Sequence, residues 1–160
     1  MVEFSPCGLA VANRCLDDWA HKMGRLNRPD HYGSVWCHAL FHEGQPVGVA
    51  CTATLIRERV GGASFLTRSN TVELARVVAA RSGLCRVVLR LWREFVFPSL
   101  GFPFAISYQD AVMHSGDLYR FDGWRRVSYS KSSFDARSGK QGRKKWVWLW
   151  PHLTDAELHA

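Results

Sequence analysis

The sequence predicts an α/β fold with a mixed central β-sheet flanked by helices. Two stretches repeat their apolar residues at three- and four-residue steps, and several short runs are rich in strand formers. Along the chain they run helix, hairpin, strand, helix, strand, helix, strand, strand. The 160 residues suit one domain (1–160) with a proper core, and neither an internal repeat nor a linker interrupts them.

Residues 9–26 read as the first helix, because Ala12, Cys15, Leu16, Trp19 and Met23 fall on one face. NRPDHYG ends it with Pro29 and Gly33. SVWCHALFH and PVGVACTATLI flank EGQ as two arms of a hairpin. Gly61-Gly62 opens a loop that SFLTRSN continues. TVELARVVA reads as a strand, with Val72, Leu74 and Val78 on one face and Glu73, Ala75, Val77 and Ala79 on the other. After RSG comes a second helix, with Leu84, Val87, Val88, Leu91, Trp92 and Phe95 as its apolar stripe and Arg86, Arg90 and Arg93 as a basic one. Pro98 and Gly101 end it. FPFAISY is a strand, DLYRFD a short helix closed by Gly123, and WRRVSYS and KKWVWLW are the last two strands. The tail TDAELHA (within 151–160) is expected to fray.

Hydrophobic residues at 47% and charged ones at 22% exclude a disordered chain. No apolar run approaches the ~20 residues of a membrane span. The N-terminus lacks the basic-then-apolar pattern of a signal peptide, so a cytoplasmic protein without membrane contact is expected. Five scattered cysteines without a CxxC pair read as reduced thiols. The net charge of +7 favours a polyanionic partner. Arg125, Arg126, Lys131, Arg137, Lys140, Arg143, Lys144 and Lys145 crowd into the stretch 125–145, opposed by Asp135 alone. That stretch reads as a basic surface facing nucleic acid.

The strand–RSG–helix joint is the first chemical signal. A helix N-terminus offers unpaired N–H groups and partial positive charge, which suit a phosphate. Gly83 permits close backbone approach, and Arg81 and Arg86 add charge. An ordinary turn between strand and helix carries the same small residue.

The succession of strand, arginine-bearing turn, amphipathic helix, strand and short helix with Tyr119 four residues before Gly123-Trp124 resembles the GNAT acyltransferase fold. In that family the turn grips the pyrophosphate of acyl-CoA through a Q/R-x-x-G-x-G/A pattern. Here the stretch is ARSGLC, with Gly83 at the central glycine, Cys85 at the small position, and Ala80 at the Q/R position with Arg81 one place later. The resemblance implies acetyl-CoA or another acyl-CoA as donor, held by Val77, Val78, Arg81, Ser82, Gly83, Leu84, Cys85 and Arg86. Over roughly 35–127, ELARVVA, AISYQD and HSGDLYRFDGWRRV also resemble the phage Mom DNA-modification proteins. The spacing SYxD…HxGxxYR places Ser107, Tyr108, Asp110, His114, Gly116, Tyr119, Arg120 and Trp124 in register. This implies acyl transfer to a nitrogen on a base of phage DNA, extruded or single-stranded, in the cytoplasm of the bacterial host.

In such a site the Tyr119 phenol is suited to protonate the leaving thiolate or to bond the acyl group, against a core tyrosine with its hydroxyl satisfied. Asp110 is either the group that binds or deprotonates the amine or a helix-entry carboxylate. Glu73 is a base or a partner for Arg76. Ser107 and Tyr108 shape a base pocket, with stacking on Tyr108 set against a plain sheet role. His114 assists proton transfer or simply occupies a turn. Arg120, Lys140, Arg143 and Lys144 complete the expected DNA contacts. His38 and His42 have poor ligand spacing, so no metal is expected. Trp146, Trp148 and Trp150 alternate as one bulky strand face rather than a stacking platform. Two other readings stand beside DNA modification: a GNAT enzyme for a small-molecule or protein amine, and a non-catalytic DNA-binding module.

Overall fold

The computed structural model describes residues 1–27, 33–111, 114–131 and 144–159. Its centre is a seven-stranded mixed sheet. The strands are β1 (Val2–Cys7), β2 (Val35–His42), β3 (Gln45–Thr54), β6 (Thr71–Ala79), β7 (Phe104–Asp110), β8 (Arg125–Lys131) and β9 (Lys144–Trp150), ordered β1-β2-β3-β6-β7-β9-β8. Every neighbouring pair is antiparallel except β6 and β7, which the helical crossover between them makes parallel. A small hairpin, β4 (Arg59–Val60) with β5 (Ala63–Thr67), turns at Gly61-Gly62 where the sequence suggested only a loop. Strand β1, also unforeseen, pairs with β2 along one edge, a position that tolerates Pro6.

Helix α1 (Leu9–Asp18) lies on one face of the sheet and buries Ala12, Cys15 and Leu16 against Cys37, Val49 and Cys51. It is shorter than the expected 9–26. The chain leaves helical geometry at Ala20, whose φ is +50°, and Met23 is exposed. The segment after it bends over β6, where Arg76 Nε donates to the carbonyl of Gly24 at 3.0 Å. The other face carries α2 (Ser82–Leu91), α3 (Asp117–Phe121) and a core of Leu74, Val88, Leu89, Trp92, Val96, Trp124 and Trp148. The buried stripe is Val88, Leu89, Trp92 and Val96; Val87 and Phe95, expected inside, face solvent. A π-helical turn at Trp92–Val96 and a 3-10 turn at Phe97–Leu100 rotate the chain past the ideal helical period. Trp92 Nε1 donates to Thr52 Oγ1 at 2.7 Å, which satisfies both buried groups. The tail carries α4 (Asp155–His159), with Arg125 donating to the Leu153 carbonyl and to Asp155.

Strand β6 changes face half-way. Thr52 pairs with Leu74 and Cys51 with Arg76, so Ala75 is an extra residue, a β-bulge. Before it, Val72 and Leu74 point to α2; after it, Val77 does, while Val78 points to α1. The expected grouping of Val78 with Val72 and Leu74 fails because one inserted residue reverses a period of two. Cys37 and Cys51 sit opposite each other with sulfurs 3.6 Å apart, and all five cysteines are free thiols. Among the described residues, no helix is long and apolar enough to cross a membrane, and no group of three or more His, Cys, Asp or Glu could hold a metal ion.

Candidate active site

Strands β6 and β7 pair over only three positions, Thr71–Glu73 with Phe104–Ile106. Beyond them β6 runs on to Ala79 and β7 to Asp110. The bulge at Ala75 bends β6 away, while β7 stays with β9 as far as the pair Asp110–Lys145. The resulting cleft opens into a cavity of about 480 Å³ that passes through the sheet.

The cavity has two chemically different ends. Towards α2 and α3 it is lined by Val77, Ala79, Ser82, Cys85, Leu118 and Tyr119. Towards α1 it is lined by His21, Met23, Glu73, Arg76, Tyr108 and Asp110, with Lys22, His114 and Lys145 also on the wall. Alternation explains the division: Glu73 and Tyr108 point away from Leu74 and Ser107, their neighbours on the α2 side.

Tyr119 lines the α3 side of the cavity. Its backbone carbonyl accepts from Trp124 N–H at 3.0 Å, and Gly123, with φ of +88°, lets the chain reverse directly after the helix. The ring stacks on Trp148 (centroids 6.0 Å, 24°) and meets Trp124 edge-on (5.5 Å, 66°). The phenol oxygen lies 2.7 Å from Ser107 Oγ. Burial pushes the phenol's pKa up, the Ser107 hydrogen bond pulls it down, and nearby Cys85 and Glu73 add to the rise. The group therefore keeps its proton at neutral pH and can donate it.

The loop before α3 is held from below. Trp148 Nε1 donates to Gln109 Oε1 at 2.8 Å, and Gln109 Nε2 donates to the Asp110 carbonyl at 3.2 Å and to that of His114. Gly116, with φ of +80°, passes so close that a Cβ there would stand 2.4 Å from Gln109 Oε1 and 2.7 Å from Trp148.

His21 is held on the α1 side, its Nδ1 accepting Met23 N–H at 3.1 Å. Burial first, then Arg76 and His114, lower its pKa to about 4. It is therefore neutral at pH 7 with its proton on Nε2, which makes it a hydrogen-bond donor to the cavity rather than a base. The Lys145 ammonium lies 5.8 Å from the Tyr108 ring centroid.

At the α2 end, Arg81 is the N-cap of α2 with extended backbone and no side-chain cap. Leu84 N–H donates to the Arg81 carbonyl at 3.0 Å, while the first turn carries no acidic residue and no side-chain cap, so its partial positive charge suits an anion. A Cβ on Gly83 would meet nothing within 4 Å, so no protein contact requires a glycine there. Gly83 and Arg86 border a shallow groove with Arg90, Leu118 and Phe121. Burial raises the Cys85 thiol pKa, and a backbone hydrogen bond at Ala79 opposes the rise.

Of the residues singled out from sequence, Glu73, Val77, Val78, Ser82, Cys85, Tyr108, Asp110, His114 and Tyr119 line the one cavity. Arg81 caps α2, Gly83 and Leu84 lie in its first turn, and Arg86 begins the second. Ser107 is 1% exposed, bonds Tyr119 and is not among the residues lining the cavity. Arg120 is also off the wall, bonded to Asp117 at 2.8 Å and set over Trp148. Asp110 is the last residue of β7, not a helix entry. Lys144 is exposed at the start of β9; Lys140 and Arg143 lie outside the described residues. Sequence reasoning missed His21, Arg76 and Lys145 as wall residues: the chain reversal at Ala20, the bulge at Ala75 and the pairing of β9 with β7 bring them there.

The fold is that of the GNAT acetyltransferases. The chain superposes on a GNAT-family protein from Desulfovibrio desulfuricans with a TM-score of 0.61 at 13% identity, covering 93% of this chain and 98% of that one. The ribosomal-protein-S18-alanine N-acetyltransferase of Escherichia coli matches with a TM-score of 0.61 at 15% identity, 97% of each chain. A Bacillus subtilis acetyltransferase in complex with CoA matches with a TM-score of 0.60 at 15% identity, over 96% of this chain and 100% of that one. No family model and no curated protein matches the sequence.

Proposed function

We propose that the chain is an acyl-CoA-dependent N-acyltransferase in which Tyr119 protonates the departing thiolate. The observation that carries this reading is the position of Tyr119 on a cavity with an anion-suited helix terminus at one end and titratable groups at the other. The donor enters from the α2 side, its pyrophosphate on the first turn of α2 beside Arg81 and Gly83. Its pantetheine arm takes the edge of β6 that β7 has left. The CoA held by the Bacillus subtilis neighbour supports this choice of donor. The amine enters from the α1 side, where Glu73 and Asp110 line the wall. Its nitrogen attacks the thioester carbonyl, the C–S bond breaks, and the thiolate takes the phenol proton. The proton that nitrogen loses passes to a wall carboxylate or to water, and the phenolate recovers one from solvent.

The finer reading is that the amine belongs to a nucleobase of DNA. Lys144 and Lys145 support it, because they start β9, Lys145 lines the cavity, and both continue the basic stretch 125–145. A base amine is neutral but weakly nucleophilic, so it needs carbonyl polarisation more than deprotonation. His21 N–H supplies a donor suited to that work. A small-molecule or protein amine is the second reading, supported by the S18-alanine activity named for one neighbour.

Calorimetric titration with acetyl-CoA tests the donor, and nucleoside mass spectrometry of DNA from cells expressing the chain tests the acceptor. Donor binding with an acylated nucleoside supports both readings. Binding with unmodified DNA and turnover on small or peptide amines moves the acceptor to the second. No donor binding removes the transferase and leaves a DNA-binding module.

A further inference from the structure

Ser107 stands where β6 and β7 part, and its one hydroxyl proton has two acceptors within reach. Ser107 Oγ lies 2.9 Å from the carbonyl oxygen of Leu74 and 2.7 Å from the phenol oxygen of Tyr119. Leu74 directly follows the last residue of β6 that pairs with β7, so the serine hydroxyl serves its carbonyl where strand pairing has ended. Ser107 is 1% exposed, which keeps bulk water from substituting for either contact.

A hydroxyl donates one hydrogen bond and accepts up to two. With its proton on the Leu74 carbonyl, Ser107 can only accept from Tyr119, and the phenol proton is turned away from the cavity. With its proton on the phenol oxygen, Ser107 frees the phenol O–H to point into the cavity, and it also stabilises the phenolate left after proton transfer. A rotation about the serine Cβ–Oγ bond exchanges the two states. No other polar side chain bonds the phenol among the described residues.

We propose that Ser107 is the positioning residue of Tyr119: its hydroxyl turns from Leu74 to the phenol oxygen as the phenol gives up its proton. This rests on the acyl-transfer reading above. In the step the C–S bond of the tetrahedral adduct breaks, the Tyr119 O–H bond breaks, an S–H bond forms, and the electron pair stays on the phenolate oxygen. Ser107 keeps its proton throughout and changes only its acceptor. The remaining groups around the phenol oppose the phenolate: Glu73 from β6 and Cys85 from α2 both disfavour a negative charge there. On its own helix, Asp117 and Arg120 are paired with each other. Ser107 is thus the group that offsets the phenolate's burial.

The test separates this role from the reaction itself. Fluorotyrosine is incorporated throughout, and fluorine NMR follows the Tyr119 resonance, identified by its loss in Tyr119→Phe. Ser107→Ala is expected to lower the ionisation constant of that phenol about ten- to a hundredfold, the worth of one charge-assisted hydrogen bond. Ser107→Thr, which keeps the hydroxyl, is expected to restore it. In turnover, Ser107→Ala is expected to lower kcat with little change in KM for acetyl-CoA. A Tyr119 resonance that titrates alike in Ser107→Ala and the parent overturns the proposal, since the serine proton then stays on Leu74 in both ionisation states. Coupled ionisation in a protein that transfers no acyl group retains the Ser107–Tyr119 relationship and removes the transferase.

Discussion

Arg93 Nε donates to Asp122 Oδ2 at 3.0 Å, joining the π-helical turn after α2 to the residue that ends α3. The same carboxylate oxygen accepts Trp124 Nε1–H at 2.8 Å. Both ionic side chains are largely withdrawn from solvent, at 16% and 10% exposure. One carboxylate therefore sets the tilt of the helix that carries Tyr119.

Asp122→Ala leaves the Trp124 indole N–H without its partner and the Arg93 guanidinium with Glu94 alone. The expected cost is about 3 kcal/mol of stability, the usual loss when one member of a buried pair is removed. Chemical denaturation reads this directly, and turnover should fall with it at a temperature where the variant is folded. A variant as stable as the parent would show that water replaces the carboxylate.

Tyr119→Phe removes one oxygen and keeps the ring between Trp124 and Trp148. Ser107 retains the Leu74 carbonyl as an acceptor, so stability should change little. Loss of the general acid should reduce single-turnover acyl transfer about 10²–10⁴-fold with acetyl-CoA affinity unchanged. A rate within about threefold of the parent, far above that range, returns Tyr119 to the packing of the core.

Gly83 and Gly116 should respond in opposite ways. The space around Gly83 is open, so Gly83→Val should stay within about 0.5 kcal/mol of the parent in stability yet lose acetyl-CoA binding by calorimetry. Gly116→Ala forces a Cβ against Gln109 and Trp148 at a left-handed φ, and should cost about 2 kcal/mol or more. Acetyl-CoA binding retained in Gly83→Val would move the pyrophosphate off α2.

Acid should weaken the fold through His21. Its folded pKa, about 4, lies below the ordinary 6.5, so between these values the unfolded chain binds more protons. The His21 contribution is complete above about pH 6.5, falls as the pH drops, and is lost by about pH 4. Allowing for solvent screening of a partly exposed ring, it amounts to about 2 kcal/mol. Half-buried His38, whose pKa burial also lowers, acts in the same direction. The stability of His21→Gln, measured by denaturation from pH 7 to pH 4, should decline less steeply than that of the parent.

Neutralising Lys140, Arg143, Lys144 and Lys145 together tests the DNA-facing surface. Each lost phosphate contact should reduce the log–log salt slope of duplex binding by about 0.9. A slope equal to the parent's removes the surface from the acceptor site.

Much of the architecture is legible locally. The period-two runs, the break at Glu43-Gly44, and the left-handed stop at Gly123 are short-range properties of the backbone, and strands β2, β3, β6, β7, β8 and β9 lie where those signals fall. The order of these elements implied a mixed sheet. The turn ARSGLC and the tyrosine before Gly123-Trp124 directed attention to the two segments that flank the α2 end of the cavity. Tertiary structure decided the rest. Ala75 carries no mark of a bulge in TVELARVVA; only its pairing against Cys51 and Thr52 makes it the extra residue that reverses the faces of β6. The opening between β6 and β7 exists because β6 bends away while β7 remains paired to β9, and pairing is a property of two strands together. His21 reaches the cavity because the chain turns at Ala20, and Lys145 because β9 aligns it with Asp110. Ser107 looks like a pocket residue in SYxD, yet the strand pleat turns it beneath Tyr119. Local rules assign each residue a conformation, whereas the distances that make a site depend on which distant segments come to lie side by side.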